Sequence, residues 1–340
     1  MKFSKLSALM ALSVGMLAAL PAVARDNIQI AGSSTVLPFS SIVAEQFGRS
    51  FSQFRAPVVG SGGTGGGFRQ FCQGVGPNTI DIVNASRPIR EGEMRACREN
   101  GVDKIIEVTI GYDGIVFASR RDAGTFALTT RHIYLATAAR VPQNGALVAN
   151  PFTHWNQIDP ALPNQRILLA IPGSNHGTRE VFEENGMAKG CADFPEINAL
   201  DAAAKREACI RVRTDGRVVE IAGDYTETLA RLNADRDAVG VFGLSFYETN
   251  RDRLQVATVN GVTPSSQTII AGQYPISRPL YFYIKDAHIG VIPGLQEFAR
   301  FFMTPQISGP NSPLDRAGLI PLPTNERNAV LARIQNRTGM

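Results

Sequence analysis

Apolar and polar positions alternate along the chain with two different periods. Asn27-Ile-Gln-Ile-Ala31 alternates strictly and predicts a half-buried strand. A helix over 38–49 follows, then a strand-like Ala56-Pro-Val-Val59 and a short strand over 81–88. A surface helix is predicted over 91–100 and a long apolar strand over 105–118. Residues 119–165 read as helix and loop, punctuated by Pro142, Pro151, Pro160 and Pro163, with Trp155 as a packing residue. Buried strands are predicted over 166–171 and 238–244, and a long aromatic-rich one over 274–284. Helices are expected to about 185, over 224–233, 294–303 and 325–336, the last with Thr324 as its N-cap. Strand and helix signals alternate throughout, which predicts an α/β fold. The two long runs, 105–118 and 274–284, pair as candidate crossing strands between two domains.

The first 24 residues stand apart. Met1-Lys-Phe-Ser-Lys5 precedes an apolar run over 6–20 and the ending Pro21-Ala-Val-Ala24. This is the layout of a secretory signal peptide cleaved after Ala24. Cleavage removes Lys2 and Lys5 and no acid, so the formal charge of +4 falls to +2. A near-neutral chain without a basic block gives nucleic acid no footprint. In an exported chain the four cysteines suggest disulfides, for which three pairings are possible. The sequence neighbours, Cys72–Cys97 and Cys191–Cys209, close short loops and are favoured. Zinc is a poor rival, because no CxxC or histidine lies at ligand spacing.

Candidate chemistry lies where strands give way to helices. Val58-Val-Gly-Ser-Gly-Gly-Thr-Gly-Gly-Gly-Phe68 reads as strand, glycine loop and helix start, with Phe68-Arg-Gln-Phe-Cys72 opening the helix. Such a loop turns successive N–H groups toward an anion, and a helix N-terminus favours one. Ser33, Ser34 and Thr35 stand at an equivalent junction, and so do Ser174, His176, Gly177 and Thr178. Asp113 interrupts an apolar strand and needs a partner, for which Arg87 is the candidate. The acidic pairs Glu91/Glu93 and Glu183/Glu184 read as solvated faces. The four histidines are scattered, without the spacing of a metal or catalytic cluster.

In order and spacing these marks resemble the periplasmic phosphate-binding protein of ABC-type phosphate importers, in the type II periplasmic-binding-protein superfamily. The residues that carry the resemblance are Ala31-Gly-Ser-Ser-Thr-Val-Leu-Pro38, the glycine loop with Thr64, Asp81-Ile-Val-Asn-Ala-Ser-Arg-Pro88, Trp155, Gly177-Thr178 and Ile276-Ser-Arg-Pro-Leu-Tyr-Phe-Tyr-Ile284. The resemblance implies two α/β lobes joined by two hinge strands: lobe I over 25–116 and 280–340, lobe II over 117–279. It implies phosphate held between them by hydroxyls and backbone amides. The implied ligand set is Ser34, Thr35, Thr64, Gly65, Arg87, Asp113, His176, Gly177, Thr178 and Arg179.

Three departures bear on selectivity. Arg87 stands where the best-studied members carry an aspartate that accepts the proton of hydrogen phosphate. Arg87 therefore becomes a candidate for direct contact with the anion, and Asp113 a candidate either for the proton acceptor or for the orienter of Arg87. Pro172 replaces an arginine expected before Gly177-Thr178, with Arg179 as its substitute. His176 replaces a serine. The expectation is a monomeric periplasmic binding protein, not an enzyme, that needs no cofactor or metal and delivers phosphate to a membrane permease. The alternatives are the same fold with sulfate, a molybdate-like anion or a phosphonate, then a secreted phosphate-ester hydrolase, then an adhesion role.

Overall fold

The computed structural model describes residues 25–174 and 177–340, so the expected signal peptide and His176 lie outside the described residues. Its organising element is one strand of 16 residues, Ile105–Arg120. The first part of this strand pairs antiparallel with Ser277–Lys285, from Ile105 opposite Lys285 to Gly114 opposite Ser277. From Ile115 onward its partner is Val239–Gly243, also antiparallel, with Leu254–Val256 on its other edge. The strand therefore belongs to two sheets in succession.

In the first sheet Ser277–Lys285 continues to Ile82–Ala85, Gln29–Gly32 and Val58–Val59, the last three mutually parallel. In the second, Val239–Gly243 continues to the parallel strands Leu169–Pro172 and Val218–Ile221. Ile82–Ala85, Leu169–Pro172 and Val239–Gly243 are buried at every position. Parallel strands covered on both faces give such unbroken burial, and this is why they read as apolar runs in the sequence.

Helices cover both faces of the first sheet. One face packs Phe39, Phe47, Phe298 and Phe302. The other packs Phe68, Phe71 and Tyr283 around the Cys72–Cys97 disulfide. The second sheet has its own core, with Phe117, Phe182, Phe242, Trp155 and the buried Cys191–Cys209 disulfide. Both favoured cysteine pairings are present. The molecule is thus two α/β lobes joined by the two long strands, as expected. Beside the crossing, Tyr112 and Ile320 exchange backbone hydrogen bonds of 2.9 Å each way.

Four local expectations need correction. Residues 119–165 contain a hairpin, Arg140–Gln143 with Ala146–Ala149, turned by Asn144 and Gly145 at φ of 51° and 80°. Val218–Ile221 is a strand that was not expected. The last helix is Thr324–Gln335 with Pro323 at its N-cap, so Thr324 is already inside the helix. The glycine stretch is not a loop ahead of a helix: the helix Gly63–Phe71 begins within it. The reason is steric. A Cβ on Gly67 would lie 2.6 Å from Gly32 Cα and 2.8 Å from Val83 Cγ2. The helix presses directly on the strands beneath, and only glycine permits that approach.

Candidate anion-binding site

Several of the expected ligand residues follow the carboxyl ends of parallel strands, where ligands of open α/β sheets gather. Gln29–Gly32 leads through Ser33, Ser34 and Thr35 to the helix Leu37–Ser50. Gly32 makes the turn at φ +137°, where an added Cβ would strike Asn84 O at 2.2 Å. Ser33 is buried and its Oγ accepts from the Thr35 amide at 3.2 Å, which fixes the turn. Ser34 points outward, and Thr35 is 3% exposed. In the other lobe Leu169–Pro172 leads to the helix Gly177–Val181.

Between the lobes lies a cavity of about 220 Å³, lined by Thr35, Pro38, Phe39, Asp113, Thr178, Tyr225, Gly243, Ala317 and Gly318. It adjoins a wider cleft of about 620 Å³ that shares Tyr225, Ala317 and Gly318. Asp113, on the crossing strand, is its one acid. Asp113 is 5% exposed, and its Oδ2 is buried without a hydrogen-bond donor. Burial pushes this carboxyl up to about 6; the Arg278 charge opposes the shift and the Glu180 charge adds to it. Tyr225 is pushed up to about 12 by burial, eased by the Thr178 hydroxyl and the Gly243 backbone, so it stays a neutral phenol.

Arg278 was not among the expected ligands, though its strand was singled out. Ladder register sets it opposite Asp113. Its Nη2 donates to Thr35 Oγ1 at 2.8 Å and to Glu180 at 3.1 Å, and its Nη1 donates to Glu184 at 2.9 Å. Thr35 Oγ1 in turn donates to Glu180 at 3.0 Å. The guanidinium is 8% exposed. Only the pairing register of two distant strands reveals this neighbour of Asp113, and a linear sequence carries no signal for it.

Arg87 is not the partner of Asp113. It forms a two-pronged ion pair with Glu93 at 2.7 and 2.8 Å and sits over the Phe68 ring. Glu93 lies in the first turn of the helix Glu91–Glu99 and also accepts from the Arg90 amide, so the nearer carboxylate takes the cation. Thr64 shares its hydroxyl with Ser86 at 3.0 Å and accepts from the Ser86 amide at 3.1 Å. Gly65 lies beside the Arg87 guanidinium, which a Cβ there would meet at 3.8 Å. Thr64, Gly65 and Arg87 thus form a second cluster that does not line the cavity. Arg179 does not line it either: it binds Glu183 at 2.7 Å, Glu220 at 3.1 Å and the Pro172 carbonyl at 3.0 Å. Glu93, Glu183 and Glu184, expected as solvated faces, are all ion-paired.

The family model described as the PBP superfamily domain matches residues 18–306. The chain belongs to the PBP superfamily. This PBP-superfamily chain is 31% identical over 315 residues to Protein SphX of Synechococcus elongatus, a match covering 91% of this chain and 81% of the relative. It is 26% identical over 313 residues to the phosphate-binding protein PstS of Staphylococcus saprophyticus, covering 91% and 84%. Among solved structures, a possible phosphate-binding protein from Planctomyces limnophilus superimposes with a TM-score of 0.72 at 24% identity, covering 92% of this chain and 98% of that one. An ABC-type phosphate transport receptor from Vibrio cholerae gives 0.60 at 17% identity, covering 87% and 100%. At these identities the two structures speak to the fold.

Proposed function

We propose that this chain is a periplasmic receptor that captures inorganic phosphate between its lobes and delivers it to the permease of an ABC importer. It is a binding protein, not an enzyme. One observation carries the reading: an acceptor, Asp113 Oδ2, is buried without a donor in an interlobe cavity otherwise furnished with the hydroxyls of Thr35, Thr178 and Tyr225. Hydrogen phosphate supplies both halves of the match. Its oxygens take the hydroxyl and guanidinium protons, and its P–OH gives a proton to Asp113. Buried polar groups are satisfied in this way or cost stability. The cavity is smaller than the roughly 300–1,000 Å³ of sites for drug-sized ligands.

The name of the Staphylococcus relative supports the same ligand. The leader-like first 24 residues support export. The working division is lobe I over 25–116 and 280–340, and lobe II over 117–279. The direct ligands are Thr35, Asp113, Thr178 and Arg278, with Gly177 offering its amide at a helix start, and the protein acts as a monomer. Calorimetric titration of the mature chain at pH 8 tests the reading. Phosphate is expected to bind at micromolar concentration or tighter while sulfate does not. Equal binding of both anions would move the ligand to a general oxyanion, and binding of neither would end the reading.

A further inference from the structure

Two donors, Thr35 in the cavity wall and Arg278 bonded to it, are engaged by a carboxylate of the protein itself. A threonine hydroxyl has one proton to give. Thr35 gives it to Glu180 Oε2 at 3.0 Å. Each guanidinium Nη carries two protons, and Arg278 Nη2 spends them on Thr35 Oγ1 at 2.8 Å and on the same Glu180 oxygen at 3.1 Å. Neither atom can donate to a bound anion while Glu180 stays in place. A carboxylate oxygen asks of these donors what a phosphate oxygen asks, an anionic acceptor at hydrogen-bond distance. We infer that Glu180 is a tethered competitor for the anion site, and that its displacement from Thr35 and Arg278 sets the protein's affinity for its ligand. This rests on the phosphate reading above.

The geometry also says what the displacement does. Thr35 belongs to the first lobe and Glu180 to the helix Gly177–Val181 of the second, so their hydrogen bond ties the lobes across the cleft. An anion that takes over Thr35 and Arg278 replaces one tie with another. Glu184 provides the internal contrast. It pairs with Arg278 Nη1 at 2.9 Å, is half exposed and does not touch Thr35 among the described contacts. It balances charge without competing for the donors that matter.

The test compares Glu180→Gln and Glu184→Gln with the wild type by phosphate titration of the mature chain at pH 8. Glutamine keeps the shape and an accepting oxygen but removes the charge. Glu180→Gln is expected to bind phosphate roughly tenfold tighter or more, and Glu184→Gln to change little. Without phosphate, Glu180→Gln is expected to melt at a lower temperature than wild type, and phosphate is expected to raise its midpoint by more. Should Glu180→Gln fold poorly, Glu180→Ala serves the same comparison. Weaker or unchanged phosphate binding in the Glu180 variant would overturn the inference and make Glu180 an orienter of Arg278. If neither wild type nor variant binds phosphate, it is the underlying reading that fails. Binding by the variant alone supports the competitor role.

Discussion

Asp113 sits in a strand that is otherwise built to be buried, and its environment decides what it can do. Its carboxyl is raised to about 6 from an ordinary 3.8, with burial the largest cause. A raised carboxyl favours the protonated form in the folded state. Its stabilising contribution is therefore full below the ordinary value and lost as pH rises through about 6. Asp113→Asn is accordingly expected to unfold at higher denaturant concentration than wild type at pH 8, with the gap closing toward pH 4. Selectivity runs the other way. On the proposed reading, above pH 6 the ionised carboxylate accepts the P–OH proton of hydrogen phosphate and repels sulfate, which has none to offer. Below it the protonated carboxyl becomes a donor and the distinction fades. Competition titrations should show the preference for phosphate over sulfate shrinking as pH falls through 6, and shrinking by roughly tenfold or more in Asp113→Asn at pH 8. A preference indifferent to both changes would remove Asp113 from the recognition step.

Among the elements, the helix Gly63–Phe71 is the clearest case of sequence serving packing. Its glycines look like a flexible or ligand-binding loop, yet Gly67 is where the helix meets Gly32 and Val83. Gly67→Ala should destabilise the first lobe by about 1–3 kcal/mol, the usual scale of overpacking, read as a lowered urea midpoint with an unchanged slope. A neutral substitution would show that the helix can lift off its strands without cost. The buried parallel strands were legible because burial on both faces leaves an unbroken apolar run. The hairpin at Asn144 and Gly145 was legible in principle, since Asn-Gly between two short runs is a strong hairpin signal, and the surrounding prolines obscured it. Val218–Ile221 is short and carries Glu220 in its middle, so its place beside Leu169–Pro172 came only from the fold. The cysteine pairings followed from sequence proximity.

At the scale of the molecule, function depends on residues far apart in the chain meeting where the lobes join. Thr35 and Asp113 were legible as chemistry, one at a strand-to-helix junction and one as a charge in an apolar strand. Their common neighbour Arg278 was not, because a ladder register links positions 113 and 278 and nothing local announces it. The same gap explains why Arg87 reads from the sequence as the candidate partner of Asp113. One crossing strand delivers Asp113 to the cavity and the other sets Arg278 opposite it in the ladder, so on the proposed reading an anion bound there touches both lobes and the joint between them. The proposed site would couple ligand binding to lobe closure, because one anion must reach donors of both lobes. The most direct test is a crystal structure of the mature chain grown with phosphate at pH 8. The account predicts one phosphate between the lobes, within hydrogen-bond distance of Thr35 Oγ1, Arg278 and Asp113 Oδ2. A phosphate held instead at Thr64 and Arg87, with the Asp113 cavity left to water, would contradict it.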